Sequence, residues 1–398
     1  MANLNSTPSG ERIHITFFGR RNVGKSSLVN AFTGQNLSVV SDTLGTTTDP
    51  VHKAMELLPL GAVEIFDTAG IDDEGELGAL RVKKSLQVLN KTDIAVLVTD
   101  APIGESEENL IKIFKSKNIP YIIAFNKADL LDTVPQNSEN TVYVSAEKKE
   151  GIETLKETVA NLLGKRQERP LVSDLIEPKD NIVLVTPIDA AAPKGRLILP
   201  QQQTIRDILD AGASAFVCKE TELENTLSSL KNPPKLVITD SQAFGFVNKI
   251  VPEGVKLTSF SILMARYKGE LSLVVEGASH IKDIKTGDKI LVSEGCSHHR
   301  QCGDIGSVKI PNLIRKKLGV EPEFVFTSGA DFPDDLSEFS LVVHCGGCML
   351  TEKQMHYRLM CCQDAKIPVT NYGILIAELN GILKRSLQPF SEIYALLD

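Results

Sequence analysis

The sequence predicts an α/β protein of three domains: an N-terminal domain with a mostly parallel sheet, a middle α/β domain and a C-terminal α/β domain. Three observations carry this expectation. At about 150 residues per domain, a chain of 398 residues has room for two or three separate cores. Short β-rich runs alternate with helix-length segments, the order that builds parallel sheets covered by helices. Residues 164–180 are charged, carry two prolines and show no clean period, which suits an exposed linker. The boundaries read as 1–165, 175–260 and 261–398.

In the first segment, strands are expected at 13–18, 62–66, 94–98, 121–125 and 142–144, with helices at 25–32, 79–89, 107–117 and 152–163. In the second, strands at 182–186, 213–217 and 235–239 enclose helices at 204–211 and 222–230, with no phosphate loop or charged constellation, so it reads as a packing or self-association module. In the third, strands are expected at 289–292, 323–327, 341–343 and 369–370, and helices at 309–318, 351–362 and 374–383. No residue-level repeat links the three segments.

Composition narrows the partners. Forty-three basic against fifty-one acidic side chains leave a net charge of -8, a poor footprint for binding a phosphate backbone. No apolar run approaches the about 20 residues that span a bilayer. The polar first ten residues lack an export signal, so a cytoplasmic protein is expected, with neither nucleic acid nor membrane as partner.

Directly after the first strand, Gly19-Arg20-Arg21-Asn22-Val23-Gly24-Lys25-Ser26 fits the pattern G-x-x-x-x-G-K-S/T, with Ser27 next in line. In such a loop backbone N–H groups turn toward phosphate oxygens, Lys25 reaches the outer phosphates and Ser26 ligates magnesium. Asp67-Thr68-Ala69-Gly70 follows the second strand, where Asp67 can hold magnesium through water and Gly70 can pivot toward a γ-phosphate. Asn126-Lys127-Ala128-Asp129 follows the fourth strand. The two acceptors of Asp129 suit the N1–H and exocyclic amine of guanine and repel the acceptor N1 of adenine. Ser145-Ala146 supplies the loop behind the base, and Thr46, Thr47 and Thr48 form the switch that closes on magnesium. Five elements in this order resemble the GTPases of the translation-factor class.

Ile71 stands where Ras-like GTPases carry a water-orienting glutamine, so slow intrinsic hydrolysis is expected. Asn22 stands where the similar potassium-dependent, tRNA-modifying GTPases (TrmE-like) carry an asparagine that helps hold potassium. Asp73 falls at the position of their water-orienting acid, which implies a catalytic role beside Lys25. Asp73 is also one of several solvated carboxylates in 72–74.

Six of the seven cysteines fall between 296 and 362, and in a reducing compartment such clustering reads first as metal chemistry. Cys296-Ser297-His298 and His344-Cys345-Gly346-Gly347-Cys348 each follow an expected strand, so both project from carboxyl ends of one sheet, where open α/β sheets place their ligands. Cys296, Cys345 and Cys348 fit tetrahedral zinc or an iron-sulfur cluster with an open iron, the fourth position falling to His298, His344, Asp304, Cys302 or water. Cys361 and Cys362 share a helix with Leu359 and Met360 and read as core, as does Cys218 at a strand end.

The pairing of these two sites across the chain resembles the HydF family of FeFe-hydrogenase maturation GTPases. The resemblance implies GTP, Mg2+ and K+ as cofactors, a 4Fe-4S cluster on the three cysteines, and a homodimer made by the middle domain. It further implies scaffold duty for a di-iron CO/cyanide subcluster that arrives from radical-SAM maturases and leaves to apo FeFe-hydrogenase. The competing expectation is a ribosome- or tRNA-directed GTPase with a structural zinc module.

Overall fold

The computed structural model describes residues 7–35, 51–58, 60–71, 88–163, 169–188, 197–295, 304–329, 331–333 and 335–397. The chain separates into two compact units, Met1–Gln167 and Glu168–Asp398.

The first unit runs β1 (Ile13–Gly19), α1 (Lys25–Thr33), β2 (Val51–Leu57), β3 (Gly61–Asp67), β4 (Ile94–Thr99), α2 (Glu105–Ser116), β5 (Tyr121–Phe125), β6 (Thr141–Tyr143) and α3 (Ile152–Leu163). The sheet order is β2-β3-β1-β4-β5-β6, parallel except for β2, which pairs antiparallel with β3. Alternate side chains of β1 enter opposite cores: Phe17 meets Phe32 of α1 edge-on at 5.3 Å, and Phe18 meets Phe114 of α2 at 5.4 Å. Because both faces are covered, β4 is buried along its whole length and reads as an unbroken apolar run. Strand β2 was not expected. Its exposed His52, Lys53 and Glu56 hide the strand pattern, and its short connection to β3 permits only antiparallel pairing. The expected helix at 79–89 lies outside the described residues except for Val88 and the turn Leu89–Lys91.

A buried polar cluster sits on β3. Glu64 accepts from Ser9 and from His52 Nδ1 at 2.9 Å, with His14 Nε2 3.4 Å away. Burial raises the Glu64 pKa, but the hydrogen bonds from His14, His52 and Ser9 outweigh it and hold this carboxyl far below the usual range.

The second unit contains two parallel four-stranded sheets. The first runs β7 (Asn181–Val185), α4 (Leu199–Asp210), β8 (Ser214–Cys218), α5 (Leu223–Ser229), β9 (Leu236–Thr239), α6 (Phe244–Ile250), β10 (Lys256–Ser259) and α7 (Phe260–Lys268). After α8 (Leu271–Ser279), the second runs β11 (Lys289–Ser293), α9 (Ile310–Leu318), β12 (Glu323–Thr327), β13 (Leu341–His344), α10 (Glu352–Asp364), β14 (Val369–Asn371) and α11 (Tyr372–Leu379).

Their orders, β10-β9-β7-β8 and β12-β11-β13-β14, are the same topology, with the second strand of each series at a free edge. The last residue of each sheet caps the helix that follows: Ser259 Oγ accepts from Ile262 N at 3.3 Å, and Asn371 Oδ1 accepts from Ile374 N at 2.8 Å. The two helix starts meet, Gly373 N donating to Ser261 Oγ at 3.2 Å, and a Cβ at Gly373 would lie 2.7 Å from that of Ser261. One continuous hydrophobic core runs through both sheets. Cys218, expected in the core, is only half-buried, because β8 is an edge strand exposed on both faces. Among the described residues no helix is long and apolar enough to cross a membrane.

Candidate functional site

The nucleotide motifs meet at the carboxyl edge of the first sheet. Gly24 has φ 80°, and a Cβ there would lie 2.4 Å from Asn126 Nδ2, so glycine is required on both counts. Asn126 ties three motifs together: Nδ2 donates to Val23 O at 2.9 Å, and Oδ1 accepts from Ala146 N at 3.0 Å. Lys127, itself at φ 58°, donates to Asn22 O at 2.9 Å and to Asp100 Oδ2 at 2.6 Å. The backbone N–H of Ile71 donates to Gly19 O at 3.2 Å and brings the turn after β3 onto the phosphate loop.

Lys25 Nζ pairs with Asp67 Oδ1, and Ser26 Oγ donates to Asp67 Oδ2 at 2.6 Å. These converging oxygens are the donor set of a hard divalent cation, and they fit Mg2+. Asp129 is half-buried, and its hydrogen bond to Ser145, with a smaller contribution from Lys148, lowers its carboxyl below the ordinary value. It therefore presents an ionised double acceptor. Thr46, Thr47, Thr48 and Asp73 lie outside the described residues. Asp100, which holds Lys127, belongs to no motif and carried no sequence signal.

At the carboxyl edge of the last sheet, β11 and β13 are neighbours with Ser293 opposite His344. The chain reverses its direction across the sheet between these two strands, the topological switch point where open α/β sheets bind ligands. Cys345 N donates to Ser293 O at 3.0 Å. Gly295 N donates to Cys345 Sγ at 3.0 Å, and Gly347 N, from a left-handed residue at φ 64°, reaches the same sulfur at 3.4 Å. Burial pushes the Cys345 thiol up, and these two N–H groups oppose that shift by favouring the thiolate.

Cys348 is half-buried. Cys296, His298 and Cys302 lie outside the described residues, but Gly295, one peptide bond before Cys296, touches the Cys345 sulfur. Among the described residues no group of three or more His, Cys, Asp or Glu side chains that could hold a metal is present. A sulfur receiving two backbone N–H bonds in a glycine-rich loop fits a thiolate ligand of a cluster.

His344 is 2% exposed and both ring nitrogens are engaged. Nδ1 lies 2.9 Å from Cys345 O and must donate there, which leaves the Nε2 lone pair to accept from Arg358 Nη1 at 2.9 Å. Burial, reinforced by the Arg358 charge, pushes the His344 pKa down to about 3, so the ring is neutral. In this geometry His344 orients the loop; ligation through Nε2 would forfeit the Arg358 bond. Asp304 Oδ2 accepts from Ser307 N at 2.9 Å and Ser307 Oγ at 3.0 Å, capping the helical turn before α9. Cys362 is fully buried and burial pushes its thiol up to about 12, in keeping with a core role, while Cys361 is half-buried.

Comparison with known proteins divides the chain in three. Residues 14–127 match the family model of a 50S ribosome-binding GTPase. Residues 171–269 match the hydrogen maturase F dimerization domain, and residues 272–389 the hydrogen maturase F tetramerization domain. The tRNA modification GTPase MnmE of Legionella pneumophila (strain Corby) is 31% identical over 160 residues, 39% of this chain and 35% of the relative. MnmE of Mesoplasma florum is 29% identical over 179 residues, 44% of this chain and 37% of the relative. The chain thus spans about a third of the length of these relatives. The solved G domain of the T. maritima FeoB iron transporter is matched at 21% identity and a TM-score of 0.30, covering 38% of this chain and 99% of that one.

Proposed function

Since the chain belongs to the hydrogen maturase F (HydF) family, we propose that it is a GTP-hydrolysing maturation factor of FeFe-hydrogenase. In this reading it carries a 4Fe-4S cluster on Cys296, Cys345 and Cys348 and acts as scaffold for a di-iron subcluster with CO and cyanide ligands. The observation that supports it best is the contact of Gly295 N with Cys345 Sγ at 3.0 Å, which brings the chain leading to Cys296 against the loop of Cys345 and Cys348. The likeness to MnmE covers only 39% to 44% of the chain.

In the GTPase unit, Lys25 neutralises the outer phosphates while the backbone around Gly24 donates to them. Asp129 reads guanine, Ser145 and Ala146 back the base, and Asn126 locks this reader to the phosphate loop. Ser26, Thr47 and Asp67 would hold Mg2+, and Asn22 would hold K+; together these ions offset charge on the phosphates, the part an arginine finger plays elsewhere. Asp73 would orient water in place of the glutamine that Ile71 replaces. At the other site, the cluster when bound offers an exchangeable coordination position, and the three thiolates anchor it there. The partners are a second copy of the chain, the radical-SAM maturases that load the subcluster and the apo-hydrogenase that receives it.

The test is metal analysis after anaerobic reconstitution of the full chain with iron and sulfide. About four irons per chain, with a spectrum that responds to imidazole, is the expected result. Zinc near one per chain with no iron or sulfide retained would overturn the scaffold reading in favour of a structural zinc module.

A further inference from the structure

Two cations are buried against the cysteine loop, and neither belongs to any sequence motif. Lys268, the last residue of α7, is 2% exposed, and its ammonium donates to Cys348 O at 3.0 Å and Leu350 O at 2.8 Å. Arg358, in the middle of α10, is 3% exposed. Its guanidinium joins the ends of three neighbouring strands: Nη1 donates to Ser293 Oγ at the end of β11 at 3.0 Å and to His344 Nε2 at the end of β13 at 2.9 Å, and Nη2 donates to Gly329 O after β12 at 2.5 Å. Phe332 covers the guanidinium at 5.2 Å.

Removing the full charge of Arg358 from water is costly, and a nearby carbonyl dipole repays it only in part. Both cations lie against the loop that carries Cys345 and Cys348, and Arg358 interacts electrostatically with Cys345 itself and with Asp331. Negative charge in that loop adds to that of Asp331 in compensating the buried Arg358. Three thiolates around an iron-sulfur core supply such charge, and more of it on one-electron reduction.

We infer that Arg358 and Lys268 are positioning residues of the cysteine site, and that Arg358 is the built-in counter-charge of an anionic thiolate-bound cluster, favouring its reduced form. Arg358 sets the relative placement of the loops after β11 and β13, and Lys268 fixes the carbonyl side of the Cys345–Cys348 turn. The charge half of this inference rests on the iron-sulfur reading above; the positioning half does not.

Two experiments on the full chain separate them. In metal-free protein, alkylation of Cys345 and Cys348 is followed by mass spectrometry for wild type, Arg358→Gln, Arg358→Lys and Lys268→Met. Positioning predicts at least tenfold faster modification in Arg358→Gln and Lys268→Met; rates equal to wild type overturn it. Size-exclusion chromatography shows whether each variant keeps the wild-type assembly; where Arg358→Gln does not, Arg358→Met replaces it in both assays, and where Lys268→Met does not, Lys268→Gln replaces it, while Arg358→Lys, which keeps the charge but loses the fork, is expected to lie between wild type and Arg358→Gln in alkylation.

In protein reconstituted with iron and sulfide, a dithionite titration followed by electron paramagnetic resonance reads the reduced fraction at fixed potential. The charge role predicts a reduced-to-oxidised ratio about tenfold lower in Arg358→Gln, a shift of about 59 mV for one electron, and a ratio within about twofold of wild type in Arg358→Lys. Equal ratios in all three proteins overturn the charge role. If wild type itself retains no iron, the iron-sulfur reading fails and takes the charge role with it, while alkylation still decides the positioning role.

Discussion

Gly24 is the residue on which the nucleotide site is most sensitive to a single methyl group. At φ 80° and with Asn126 Nδ2 2.4 Å from the added carbon, Gly24→Ala is expected to destabilise the first unit by about 1–3 kcal/mol and to weaken nucleotide binding at least tenfold, read by thermal unfolding and fluorescent-nucleotide titration. Asp129 is the opposite case. Asp129→Asn keeps the size of this half-buried side chain, so it should change the melting temperature little while exchanging one acceptor for a donor, moving preference from GTP toward XTP in a competition assay.

Glu64 carries a pH dependence. Its folded pKa lies below the unfolded value of about 4.3, so its contribution is complete above that pH and is lost as the pH falls below it toward the folded pKa. The melting temperature of the first unit should drop below about pH 4 in wild type and drop less steeply in Glu64→Gln. Parallel curves for the two proteins would exclude Glu64 as the source. Of the residues that build the two sites, Lys25, Asp67, Asn126, Asp129, Cys345 and Cys348 were legible because each sits in a short contiguous pattern. Asp100, Lys268 and Arg358 were not, since their partners lie far away in sequence.

Among the elements, β8 and β12 occupy equivalent free edges of the two sheets in the second unit, and each falls in a segment whose family model is named for self-association. A free edge presents unpaired backbone donors and acceptors, and β8 adds half-exposed Phe216 and Val217. Val217→Lys is therefore expected to raise the dimer dissociation constant at least tenfold. Val325→Lys on β12 should spare the dimer and remove larger assemblies. Light scattering over a concentration series checks both, and masses identical to wild type in both variants would exclude these edges. The alternation of β-rich and helical runs located most strands to within a residue or two. It missed β2, whose charged surface masks its pairing, and β10, in which Leu257 is the single apolar residue.

For the whole molecule, two units with their own cores imply two unfolding transitions, and a ligand of one core shifts only that transition. Calorimetry with Mg2+ and GDP at about 100 times the dissociation constant should raise the first unit's stability by about 2.7 kcal/mol and leave the other unchanged. A single transition, or a shift in both, would contradict this independence.

By itself the sequence determined the α/β class, the phosphate loop, the guanine reader and the cysteine pattern, because these depend on neighbours along the chain: hydrophobic period, glycine freedom and fixed residue spacing. Only the tertiary structure decided that two sheets of unlike sequence share one topology, that Gly295 reaches the sulfur of Cys345, that His344 spends both nitrogens on its surroundings, and that Lys268 and Arg358 lie buried behind the loop. Each of these is a contact between segments whose meeting is settled by packing of the whole core, and no local pattern encodes which distant residue a buried charge will find.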